Sequence, residues 1–210
     1  MRRQRWQFTW YVPHDVKSLI NLIGERQFID RLNAGFATSE KVSFNALGDN
    51  MGAYPINHGN ETNMQAAYLF SYTSEPWHTQ KWARAIQEKY YGMGPRDAYP
   101  GDEDQGQMSS WYILSSIGLF QMDGGCSKDP VWLLGSPRFD RVEILLDNTY
   151  YSGKKLIIKA ENVSKDNCYI QYVRFNNKRL SNNYIEWSKL KKGGTLHFIM
   201  GDRPNPNAFK

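Results

Sequence analysis

The feature that most constrains this chain is a change of hydrophobic period near residue 130. Ahead of it, apolar residues recur every three or four positions, the spacing that gathers them on one stripe of a helix. Beyond it, the chain breaks into short runs of β-branched and aromatic residues separated by Asn and Gly turn signals. The order predicts an α+β fold: a helical block over 1–130, then an antiparallel β module over 131–210.

Within the first block, Pro13-His14-Asp15 opens an apolar series at Val16, Leu19, Ile20, Leu22 and Ile23, with Gly24 as its stop. A second helix is predicted over 25–37, burying Phe28, Ile29, Leu32 and Phe36. Others follow over 63–72, from Pro76 to a stop at Gly92, and over 108–117. Two long loops, 38–60 and 92–105, lie between them. The second block predicts strands at 142–146, 155–160, 168–175, 184–187 and 195–200.

Composition narrows the function classes. With 40% hydrophobic and 14% aromatic residues, a disordered chain is excluded. No run approaches the roughly 20 apolar residues of a membrane span. Cys126 and Cys168 are too few for a disulfide framework, and free thiols or one pair remain open. The net charge of +5 suggests an anionic partner, but its distribution argues otherwise. Residues 1–130 hold 12 Lys/Arg against 14 Asp/Glu, net −2, whereas residues 131–210 hold 14 against 7, net +7. The positive charge is scattered over the β module as a solvated face, so neither nucleic acid nor membrane is expected as a partner. The opening Met1-Arg2-Arg3-Gln4-Arg5 leads straight into Trp6-Gln7-Phe8 with no apolar h-region, so no signal peptide is read here.

Chemistry concentrates in the acidic half. Gly101-Asp102-Glu103-Asp104-Gln105-Gly106-Gln107 places three carboxylates on a loop just before a helix. A helix cap explains one of them; three adjacent acids repel unless a metal, a shared proton or a substrate compensates. An Asp-x-Asp pair on an extended loop suits a calcium site or a base that orients water. In Asn57-His58-Gly59-Asn60-Glu61-Thr62, the Asn and Glu oxygens are hard ligands of the kind calcium selects, and His58 reads most simply as a hydrogen-bonded structural residue. For His14-Asp15, capping is the plain explanation. Seven tryptophans serve either core packing or stacking on sugar rings. Acid-rich loops among aromatics suit a glycosidase or a calcium-stabilised binding module.

Five ordered stretches are more specific than any one alone. They are Trp6-Gln-Phe-Thr-Trp-Tyr-Val-Pro-His-Asp15; His58-Gly-Asn-Glu-Thr62; Tyr68-Leu-Phe-Ser-Tyr72 with Pro76-Trp77 and Thr79-Gln80; Gly101-Asp-Glu-Asp-Gln-Gly-Gln-Met108 with Trp111-Tyr112; and Gly135-Ser-Pro-Arg-Phe139. Together they resemble the glycoside hydrolase family 92 α-mannosidases, from about Trp6 to Asn205. The resemblance implies a calcium-dependent exo-α-mannosidase that inverts configuration and acts on terminal α-mannosyl residues of glycans. It also implies an N-terminal β-sandwich beside an (α/α)6 barrel, of which this chain looks like the C-terminal part: a partial barrel and a closing β module. The expectation is a fragment inactive by itself, whose full-length protein is secreted or periplasmic and whose partners are a mannose-containing glycan and the β-sandwich portion.

Carried over by motif, Asp104 resembles the general base, with Asp102 assisting. Asn60 and Glu61 match the segment at the calcium, and Gln7, His14, Asp15, His58 and Gln107 match substrate-pocket positions. Two departures stand out. The family's acid is a glutamate shortly before the Trp-Gln pair, where this chain reads Arg2-Arg3-Gln4-Arg5. After Asn-Glu many members continue with Pro and a His pair, where this chain has Thr62-Asn63-Met64-Gln65. A non-catalytic carbohydrate-binding module is the alternative these departures leave open.

Overall fold

Asp15 starts the first long helix as its sequence context predicts. Its carboxylate accepts a hydrogen bond from the Ser18 amide at 3.1 Å, filling one of the unpaired donors of the opening turn. This computed structural model describes residues 5–46, 52–98, 101, 103 and 105–210. The chain divides into two compact units, Met1–Ile113 and Leu114–Lys210.

The first unit is helical: α1 (Arg5–Phe8), α2 (Val16–Ile23), α3 (Glu25–Ser39), α4 (Glu61–Met64) and α5 (Trp77–Lys89), with α6 (Gln107–Ser116) crossing its end. Helix α3 buries Phe28, Ile29, Leu32, Gly35, Phe36 and Ser39, one apolar stripe at helical spacing. Phe36 stacks on Trp82 of α5 with ring centroids 5.3 Å apart and planes at 17°, and the Trp82 indole donates to Asn33 at 2.9 Å. The stretch expected as one helix over 63–72 is instead α4 followed by a 3₁₀ segment, Ala66–Tyr72. Asn63 through Ser71 are all buried, so no solvent face dictates a 3.6-residue period there.

The second unit holds two sheets. Strands β1 (Leu119–Phe120), β2 (Val131–Leu134) and β7 (Tyr184–Glu186) form a three-stranded antiparallel sheet. In the larger sheet, β3 (Arg141–Leu145), β4 (Lys155–Glu161), β8 (Gly194–Gly201), β5 (Tyr169–Phe175) and β6 (Lys178–Arg179) lie side by side in that order. All neighbours are antiparallel except β4 and β8, which pair in parallel from Leu156–Gly194 to Glu161–Ile199. The short helix α7 (Trp187–Leu190) follows β7. Alternation puts Leu156, Ile158 and Ala160 of β4, and Leu196, Phe198 and Met200 of β8, into one core. A bulge between Ile170 and Tyr172 shifts β5 by one residue, which lets Ile170 and Val173 both face inward despite their odd spacing. Residues from 114 onward join this unit because β1 pairs with β2. Cys126 and Cys168 are not joined in a disulfide.

Phe198 is fully buried in β8, whereas Leu145, at the end of edge strand β3, is 78% exposed. Urea unfolding should therefore show Phe198→Ala losing about 3–5 kcal/mol and Leu145→Ala staying within about 0.5 kcal/mol. Equal losses would contradict the assigned core.

Candidate functional site

The residues singled out by the sequence lie in the helical unit, and its most local contacts gather several of them. Asn63, fully buried, is the junction. Its side-chain oxygen accepts from the Asn57 amide at 2.9 Å, and its nitrogen donates to the Gln7 carbonyl at 3.0 Å and the Thr62 carbonyl at 3.0 Å. Gln7, also buried, donates its side-chain amide to the Tyr54 carbonyl at 3.1 Å. One amide thus ties α1 to the turn that carries His58, Asn60 and Glu61. Nothing in its triplet Thr-Asn-Met marks it, because the partners lie 6 and 56 positions away.

On that turn, Asn60 caps α4: its side-chain oxygen accepts from the Thr62 amide at 3.4 Å and the Thr62 hydroxyl at 3.2 Å. Glu61, in the first turn, is exposed and makes no side-chain hydrogen bond or ion pair among the described residues. Amide, hydroxyl and carboxylate oxygens side by side are hard donors of the kind calcium takes. Among the described residues no group of three or more His, Cys, Asp or Glu gathers to hold a metal. Of these oxygens, the carboxylate of Glu61 is free to bind, while the amide oxygen of Asn60 is occupied by Thr62.

His58 faces the other way, into an aromatic cage. Its ring lies 4.3 Å from that of Trp111, 4.9 Å from Tyr90 and 5.5 Å from Tyr91, all edge-to-face. Its Nε2 is 2.8 Å from the Tyr91 hydroxyl, which donates to the Met108 carbonyl at 3.3 Å. With that hydroxyl proton committed, Nε2 carries the imidazole proton and donates to Tyr91, leaving Nδ1 as a buried acceptor without a hydrogen-bond partner among the described residues. Burial pushes the imidazole down to about 3, so it is neutral.

The acidic loop reaches the same turn through its first residue. A methyl group built on Gly101 would sit 2.6 Å from the Gly59 Cα and 3.1 Å from its carbonyl oxygen. The two backbones touch where only glycine fits. One of the three acids is the helix cap: Glu103 accepts from the Ser109 amide at 3.2 Å and from the Ser109 hydroxyl, and its carbonyl accepts from the Gln107 amide at 3.1 Å. Gln107 itself is exposed as the first residue of α6. Asp102 and Asp104, the base candidates, lie outside the described residues. His14 and Asp15 are both exposed at the start of α2, and hydrogen bonding from Ser18 holds the Asp15 carboxyl below its usual range. No hydrogen bond joins either to the 57–62 turn among the described residues.

Residues 2–202 match the family model described as the glycosyl hydrolase family 92 catalytic domain. Among curated proteins the chain is similar to an uncharacterized secreted glycosidase of Arthroderma benhamiae, 29% identical over 199 residues, covering 93% of this chain and 23% of that protein. Among solved structures, a family 92 α-mannosidase of Bacteroides thetaiotaomicron in complex with mannoimidazole superposes with a TM-score of 0.82. It is 33% identical and covers 98% of this chain and 26% of its own. A family 92 inverting mannosidase of the same organism gives 0.79 at 31% identity, over 97% of this chain and 28% of its own. The chain thus spans about a quarter of the length of these relatives.

The His58 cage makes a pH prediction for the metal-free chain. Its folded-state value of about 3 lies below the ordinary 6.5, so between those values the unfolded chain binds a proton that the folded chain does not. The contribution is complete above pH 6.5 and is lost as pH falls, at up to about 1.4 kcal/mol per pH unit. Urea titrations between pH 7 and 4 should show a shallower decline for His58→Gln than for the parent chain. Parallel declines would contradict a neutral buried imidazole.

Proposed function

The chain belongs to glycosyl hydrolase family 92, and on that premise we propose that it is the C-terminal part of a calcium-dependent, inverting exo-α-mannosidase acting on terminal α-mannosyl residues of glycans. The observation that carries this reading is the contact of Gly101 with Gly59, which joins the acidic loop to the Asn60–Glu61 turn. The names of the two Bacteroides relatives supply the substrate class and the inverting outcome.

In this reading Asp104 takes a proton from the water that attacks the anomeric carbon, with Asp102 orienting that water. Inversion needs room for the water between base and acid, roughly 6.5–9.5 Å between carboxyl groups. Glu61 would hold the cation, with Asn60 able to add an amide oxygen. When bound, calcium acts as a Lewis acid and template on sugar hydroxyls. Gln7, His14, Asp15 and Gln107 contribute to the pocket, and His58, buried behind the turn, serves it by placing that turn rather than by proton transfer, since its imidazole is held neutral.

The 210 residues cover about a quarter of the matched relatives, and Met1–Arg5 contain no carboxylate to serve as the acid. Turnover by this chain alone is accordingly not expected, and a β-sandwich portion is its partner. A secreted or periplasmic full-length protein agrees with the name of the Arthroderma relative. No helix among the described residues is long and apolar enough to cross a membrane.

A calorimetric titration tests the reading: the chain should bind calcium, Glu61→Gln should weaken binding at least tenfold, and aryl α-mannoside should not be hydrolysed. Absence of calcium binding, or equal affinity in Glu61→Gln, overturns the cation assignment. Mannose binding retained in Asp104→Asn, with no hydrolysis even when the β-sandwich portion is supplied, would instead favour a carbohydrate-binding module.

A further inference from the structure

We propose that Tyr90 is a positioning residue: its hydroxyl closes over the contact between Gly59 and Gly101 and sets the spacing between the Asn60–Glu61 turn and the acidic loop. The purpose of that spacing rests on the function proposed above; the packing does not. Tyr90 ends α5 and is 3% exposed, with its ring 4.9 Å from His58 and 5.1 Å from Tyr91. Caged in this way, the ring has no room to swing aside. Its hydroxyl oxygen is the nearest atom to a methyl group built on either glycine, inside van der Waals contact with both. One oxygen therefore abuts two loops 42 positions apart in sequence, each beginning a stretch of candidate metal or catalytic residues.

The two glycines are not equivalent, and the difference makes the idea testable. At Gly59 the only severe obstacle to a methyl group is the Tyr90 hydroxyl; the next atoms are the Gly101 Cα at 3.1 Å and the Tyr90 ring carbon at 3.5 Å, which small shifts accommodate. At Gly101 a second severe obstacle remains, the Gly59 Cα at 2.6 Å, and backbone cannot rotate away. Removing the hydroxyl with Tyr90→Phe should rescue Gly59→Ala but not Gly101→Ala.

The experiment is hydrogen exchange of the peptide covering 99–107, with calcium titration run in parallel on each variant. Gly59→Ala and Gly101→Ala should each speed exchange in that peptide at least tenfold while the β unit keeps its parent rates. Adding Tyr90→Phe should return Gly59→Ala to within about threefold of the parent and leave Gly101→Ala fast, and calcium affinity should follow the same pattern. Unchanged exchange in Gly59→Ala, or equal rescue of both glycine variants, overturns the proposal. If Gly59→Ala alone does not fold, recovery of a folded protein in the double variant supports the proposal and its absence overturns it. Exchange that follows the pattern in a chain without calcium affinity would uphold the positioning role and reject the cation reading.

Discussion

Two glycines pressed backbone to backbone, Gly59 and Gly101, bring the Asn60–Glu61 turn and the start of the acidic loop together. Of the candidates, Asn60 and Glu61 on one side and Glu103 on the other follow directly from that contact in the chain. On one side the chain runs into Asn60, Glu61 and α4; on the other it runs into the acidic loop and α6. A side chain at either position would separate them, because the space a Cβ needs is already taken by backbone and by Tyr90. The two candidate segments are thus held together by the absence of two side chains.

Around that contact, buried polar groups are placed by short chains of hydrogen bonds rather than by charge pairs. Asn63 links α1, the 57–62 turn and α4 through a single amide, and Ser39 accepts from the Ile56 amide at 3.0 Å. Amides and hydroxyls can be buried this way at modest cost when paired, whereas charges would each need a partner. The arrangement leaves the carboxylate of Glu61 exposed and free of ion pairs among the described residues. Ion pairs such as Arg26–Asp30 and Lys155–Glu143 are exposed and contribute little to stability. Net charge, which first pointed to an anionic partner, belongs to the solvated outer positions of the β strands, where Lys159 alternates with buried Ile158 and Ala160.

What could be read in the sequence was what depends on near neighbours. The α3 stripe, the Asp15 cap and the strands at 155–161 and 194–201 follow from periodicity and turn residues within a few positions. The ordered motifs likewise carried the family. A helix cap was a sufficient account of one acid in the Asp-Glu-Asp run, and Glu103 is that acid. Contacts between distant segments gave no local signal. Asn63, Gly59 and Gly101 are marked by nothing within a few positions of them, and the parallel pairing of β4 with β8 has no counterpart in either strand's own pattern. The strands at 119–120 and 178–179, two residues each, are too short to show a period at all.

In the proposed function, the turn and the acidic loop form a single cation and sugar site. Crystals of the chain soaked with a lanthanide in place of calcium would test it most directly, through the anomalous scattering of the ion. The account predicts one strong peak within coordination distance of the Glu61 carboxylate and beside the loop that follows Gly101. A peak elsewhere, or an ion bound by the acidic loop with Glu61 left in solvent, would contradict it.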